Sequence, residues 1–163
     1  DAEIVSTVAT QELTNKVIPD DENLSFGTDS DAFIKYDEAT SDTLVVGGAK
    51  VVFEKAVRGN NFTSSSTTGS TTLNFETYQN FFLTLTGAVT LANPTTETTG
   101  QSGFIVFIQD STGGRVVSLG TDYETAGGAG LTLSTAASAT DIVPYVVAAN
   151  GRIILGAPQL AFA

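Results

Sequence analysis

Carboxylates are the side chains in this chain whose spacing suits chemistry. Asp29 and Asp31 lie two apart, so an extended backbone sets both on one face. With Asp37 or Asp42 they make the pattern of a carboxylate pair for glycoside hydrolysis, or of an oxygen-ligand Ca²⁺ site built from Asp29, Asp31 and Asp37. Acids in turns also cap backbone N–H groups and keep strand edges from pairing, and that plainer role is the expected one. His, Cys, Met and Trp are absent. Acyl-transfer triads, thiol chemistry and Cys/His zinc sites are therefore excluded, and any general base would be a carboxylate or a Lys. No catalytic residue, resident metal or cofactor is expected.

Two further motifs are weaker. Asp110-Ser111-Thr112-Gly113-Gly114-Arg115 offers backbone N–H groups to an anion, but it lacks the Gly-Lys-Ser/Thr ending of a phosphate loop, so a hairpin turn is expected. Gly127-Gly128-Ala129-Gly130 is read in the same way. Tyr78, Tyr123 and Tyr145 are candidates to stack on sugar rings if loops gather them at one end of the fold. Core or interface positions are the competing reading for each. Asn61-Phe62-Thr63 matches a glycosylation acceptor, a three-residue pattern that chance supplies often.

Composition narrows the partners. The net charge is −11 with only 7 Lys and Arg, so neither nucleic acid nor an anionic membrane is an expected ligand. Twelve of the 18 acids fall in residues 1–60, which permits a partner with a basic surface. No apolar run approaches the ~18 residues of a membrane-spanning helix. The opening Asp1 has no Met before it, as in a processed chain or one numbered from past a leader.

Stepping along the elements that must hold these residues, the pattern is all-β. Phe81, Leu83 and Leu85 alternate with Phe82, Thr84 and Thr86, and Val89 and Leu91 repeat the alternation after Gly87-Ala88, which predicts a hairpin. Gly103–Gln109 is apolar at both sets of alternate positions, which predicts a central strand with both faces covered. Arg115–Leu119 is expected to return beside it as the next strand. Leu131–Leu133 is a short strand or edge. Asp141–Val147 and Arg152–Leu155 form a final hairpin through Asn150-Gly151, with Pro144 at an edge or bulge. Upstream, Leu24–Gly27, Ala32–Tyr36, Thr43–Val46 and Lys50–Glu54 read as short meandering strands, too small to close a core alone. The expected organisation is an extended N-terminal arm over 1–23, short strands over 24–60, a Ser/Thr-rich linker over 61–70, and an antiparallel β-sandwich or jelly-roll-like domain over 71–163.

The run Phe81–Thr95, then Gly100–Gly103 through Gln109–Arg115, then Leu133–Ala137 and Asp141-Ile142 resembles a module of tailed-bacteriophage fibre and virion surface proteins. Leu13-Thr14-Asn15-Lys16 is similar to a step of phage fibre proteins, and Leu24–Gly27 with Ile34–Asp37 to their short repeats. The resemblance implies a homotrimeric β-structured component of the virion surface, either a fibre or a head decoration, whose partners are its own copies and other capsid or tail proteins. It carries over no catalytic residue. The rival function, from a different class, is a carbohydrate-binding adhesin for host surface glycans.

Overall fold

The computed structural model describes residues 24–26, 32–37 and 43–162. The chain divides into two units, residues 1–57 and 58–163. In the first, β1 (Leu24–Phe26), β2 (Ala32–Asp37) and β3 (Thr43–Gly47) pair antiparallel in the order β1-β2-β3. β-Branched and aromatic side chains dominate these strands and suit a pleated surface. Gly47 leaves room for a ring, since a Cβ there would lie 2.8 Å from Phe33 Cζ. The strand expected at Lys50–Glu54 does not form, and residues 48–57 carry no strand.

The second unit is one curled mixed sheet. Its strands are β4 (Asn61–Thr72), β5 (Asn80–Ala92), β6 (Ser102–Gln109), β7 (Val117–Leu119), β8 (Tyr123–Glu124), β9 (Thr140–Ala149), β10 (Arg152–Leu155) and β11 (Gln159–Phe162). The main path runs β4-β5-β6-β9-β10-β8, with β7 added to β5 and β11 to β9. The all-β reading holds, but the pairing is richer than an antiparallel sandwich. β4, β6 and β7 all run parallel to β5, and β8 runs parallel to β10.

β5 explains why. Phe81, Leu83, Leu85, Val89 and Leu91 are all buried, and all occupy odd positions. Gly87 is the odd position between them, so the inward phase is never broken and no turn forms where the hairpin was expected. A Cβ on Gly87 would strike the Thr68 hydroxyl, so the residue that looked like a break admits a close neighbour instead. The supposed linker 61–70 lies in β4, because its β-branched Thr residues suit a strand and a long apolar strand offers its edge. Two register shifts, between Ser64 and Thr67 and between Thr67 and Gly69, fit it to β5, with Gly69 at φ +70.

The segment after β6 also departs from expectation. Gln109 pairs with Leu85 at the end of β6, and β7 resumes on the same ladder opposite Val89, running in the same direction. Residues 110–116 are thus an excursion from one continuous edge of β5, not a hairpin turn. Gly113 and Gly114, at φ +73 and +72, give the backbone the left-handed conformations that the excursion needs. The β9–β10 hairpin forms as expected, closing at Asn150-Gly151 with Gly151 at φ +68. Pro144 lies in an interior strand, opposite Phe104, at the gap where the far side of β9 passes from β10 to β11. Gly156 fills that gap, and a Cβ there would sit 2.7 Å from Pro144 Cγ. Leu131 and Leu133 pack against the core from an irregular segment rather than from a strand.

One core, from Leu73 to Leu155, joins the inner face of β5, β6, β7, β8, β9 and β10. Burying each large apolar side chain contributes on the order of 1.5–3 kcal/mol. Leu83→Ala, at a fully buried site, is expected to cost about 3 kcal/mol in urea unfolding, against less than about 0.5 kcal/mol for Ser118→Ala on the exposed face. Thr67 carries a buried hydroxyl with no hydrogen-bond partner. Thr67→Val keeps the shape and removes the unpaired group, so the same measurement should show a gain of about 1 kcal/mol.

Candidate interaction surfaces

The acidic candidates are not gathered into a described site. Asp29, Asp31 and Asp42 lie outside the described residues. Asp37 ends β2 opposite Thr43. Among the described residues no group of three or more Asp and Glu is placed to hold a metal ion.

The three tyrosines are drawn inward. Tyr145 is buried, its ring 5.2 Å from Phe75 and 6.4 Å from Phe81. Its hydroxyl donates to Gln79 O at 2.6 Å. Burial pushes its phenol up to about 12. Tyr78 is half-buried between Phe62 at 5.3 Å and Phe81 at 6.5 Å. Tyr123 is buried in β8 and its hydroxyl finds no partner. Desolvation, then the nearby Glu97 and Asp122 carboxylates, raise its phenol above the ordinary range. Tyr78 and Tyr145 therefore share an aromatic cluster with Phe62, Phe75 and Phe81. None of the three presents an open stacking face at a common end.

Two polar side chains buried in the sheet carry roles that their neighbours conceal. Gln109 closes the excursion: its Nε2 donates to Arg115 O at 2.9 Å and Ser134 O at 2.8 Å, and its Oε1 accepts from Arg115 N at 2.9 Å. Beside it, Asp110 accepts from Thr112 N, Gly113 N and the Arg115 guanidinium, whose Nη2 lies 2.8 Å away. The Arg115 bond, then the two N–H groups, hold the Asp110 carboxyl below its usual range. With its carboxylate thus occupied, the turn is an internally paired loop rather than an anion cradle. Asp141 accepts from Ser134 N at 2.6 Å, Ser134 Oγ at 2.7 Å and Ala161 N at 2.8 Å. It ties β11 and the 131–135 segment to β9, and it holds Ala161 at φ +61, a conformation costing a non-glycine residue about 1–2 kcal/mol. Both residues were legible in principle. Each continues the inward phase of an apolar strand.

A cleft of about 640 Å³ opens between β7, β8 and the turn Ala126–Gly128, with Ser118, Glu124 and Leu131 on its walls. Its one carboxylate is committed, since Arg152 Nε lies 2.8 Å from Glu124 Oε1 and holds that carboxyl below the usual range. The other titratable side chain on its walls is Tyr123, whose hydroxyl has no partner and whose phenol is held in the protonated form by burial.

What remains is surface. On the outside of the second unit, Ser70, Thr90 and Ser118 form one exposed hydroxyl row across β4, β5 and β7. Further along, Phe104 faces Pro144, and Ile154 faces Val146 beside Ser102, leaving the outer side of β6 less covered than its apolar sequence suggests. In the first unit, Leu24 pairs with Ile34, Ile34 with Val46 and Tyr36 with Leu44. These five side chains share one face of β1–β3, and all are exposed.

Fold and surfaces together define a β-built scaffold in which Gln109, Asp110 and Asp141 serve its own loops. The family model described as "Putative phage tail fibre C-terminal domain" matches residues 67–152, from within β4 to the start of β10. That span is over half of the chain, and the protein belongs to this family. No curated protein and no solved structure matches the chain.

Replacing Asp141 by Asn removes one charged acceptor from a buried three-donor site. The expected loss is about 3 kcal/mol, with faster hydrogen exchange at Ala161 as its local signature. Alkali tests the tyrosines. An unfolded tyrosine ionises near pH ~10, whereas folded Tyr145 resists until about 12. The unfolded state thus loses its proton first, so the Tyr145 contribution to stability is constant below about pH 10 and is lost as pH rises towards 12. Tyr145→Phe should flatten part of that fall in pH-dependent melting, and an unchanged profile would reject this cause.

Proposed function

We propose that this chain is a non-enzymatic structural protein of a tailed-phage virion, forming a homotrimeric appendage on the particle surface. It serves as a short fibre or a head decoration, and contributes to particle stability or host adsorption. The observation that carries the reading is the family match, which spans most of the mixed sheet of the second unit. The pairing of three described carboxylates supports it: those of Asp110, Glu124 and Asp141 are engaged by Arg115, Arg152 and Ser134. Self-association is supported by the three described strands of the first unit, which by themselves are too short to close a core.

Two measurements test the reading. Light scattering on the purified full chain should return three times the 16.9 kDa of one copy; a single-chain mass at micromolar concentration removes the trimer. Gold label on a C-terminal tag should decorate intact particles at a fixed site on tail or head. Particles that carry none of the protein would overturn the virion assignment.

A further inference from the structure

We propose that Asn150 is a site of spontaneous covalent modification, and that Glu97 restrains it by holding the nitrogen that carries out the attack. Asn150 is the one asparagine of the chain that glycine follows. Both residues are exposed at the tip of the β9–β10 hairpin. Glycine has no Cβ to shield its own nitrogen and leaves the backbone free to bring it against the preceding side chain, which makes an asparagine in that place thermolabile. The step needs no partner but water. The Gly151 nitrogen bonds to Asn150 Cγ, the Cγ–Nδ2 bond breaks, and ammonia departs with the proton that the nitrogen gave up. Water then opens the cyclic imide at either carbonyl and returns a proton to the nitrogen. One opening leaves aspartate; the other leaves a backbone that runs through the side chain of residue 150. No oxidant or reductant is consumed.

In the folded chain that nitrogen is occupied. Gly151 N donates to Glu97 Oε1 at 2.7 Å, across 54 positions of sequence. Glu97 comes from the loop after β5, and its Oε2 is buried, so the carboxylate is seated in the fold rather than swinging in water. The bond acts twice. A hydrogen bond to a carboxylate stabilises the N–H form against loss of its proton, and the attacking form is the one without it. The N–H direction is also the one along which the freed electron pair would emerge, and Glu97 stands there in place of Asn150 Cγ. Carboxylates are far too weak as bases to remove an amide proton themselves, so the net effect is restraint. Conversion would add a carboxylate to a turn that Glu97 already touches and that Asp122 flanks, its carboxyl atoms 3.9–4.0 Å from where a Gly151 Cβ would stand. The repulsion loosens the hairpin that carries β8 on the edge of β10. The modification is thus a slow, one-way weakening of this turn, and Glu97 sets its rate.

The test incubates the full chain, folded, at neutral pH and moderate warmth. Mass spectrometry of the peptide holding Asn150 follows the amide-to-acid change, and an isoaspartyl assay follows the rerouted backbone. Glu97→Ala should convert about tenfold faster than the unmodified chain, the factor that about 1.4 kcal/mol of lost charge-assisted hydrogen bonding gives. Asp122→Ala removes the neighbouring carboxylate but not the bond, and should convert at the unmodified rate. An equal rate in Glu97→Ala, with its urea transition kept, overturns the restraint; a slower rate overturns it too, because the carboxylate would then be assisting the attack. If Asp122→Ala accelerates as much as Glu97→Ala, local charge is the cause and the bond is rejected. Should Glu97→Ala lose its urea transition, Glu97→Gln, of the same size, decides in its place: faster conversion in a folded chain upholds the restraint, and an unchanged rate rejects it.

Discussion

The second unit depends on the unbroken inward phase of β5. Thirteen residues run from Asn80 to Ala92, with every odd position turned to the core, and that phase lets one strand serve three parallel neighbours. A one-residue slip anywhere along it would turn Phe81, Leu83, Leu85, Val89 and Leu91 out to water together. At roughly 1.5–3 kcal/mol for each of the five buried side chains, such a slip would cost about as much as the whole stability of a typical domain. The irregularities of the fold are therefore pushed onto the partners: two register shifts in β4, and the 110–116 excursion between β6 and β7.

Much of this is visible in the residues, and where it is not the reason is physical. Alternation at 81–85 and 89–91, the two-sided apolar run at 103–109 and the Asn150-Gly151 turn all mark elements that form. Gly87 misleads because glycine serves both turns and close approaches, and only parity across it separates the two. The Ser/Thr run at 61–70 misleads because its composition suits a linker and an edge strand equally; what decides is the apolar strand beside it, which lies 19 positions away at Asn61 and Asn80. Parallel pairing leaves no local signature at all, since the ladder partner of each residue lies a full loop distant. The tyrosines were legible as aromatic and polar-tipped, but whether they face solvent or core is set by partners such as Phe75 and Gln79 O.

Gln109 and Asp141, buried inside the sheet, work on its loops. Gln109 and Asp141 each take an inward slot at a strand end and spend every bond on backbone or hydroxyl groups nearby. Buried polar groups fully paired in this way fix segments that apolar contact alone would leave free to slide. For a member of a tail-fibre family this is a coherent economy. Long segments without regular structure, such as 129–138, are held at two or three points while their outer residues stay exposed to variation.

Charge and apolar surface are separated in the same spirit. The acids keep the chain apart from indiscriminate contacts, while the uncharged rows on β1–β3 and on β6, β9 and β10 are the places where close approach is not opposed. Of the two, the row on β1–β3 belongs to a sheet that buries no core of its own among the described residues. The larger unit, with sixteen buried core residues, keeps its shape from within.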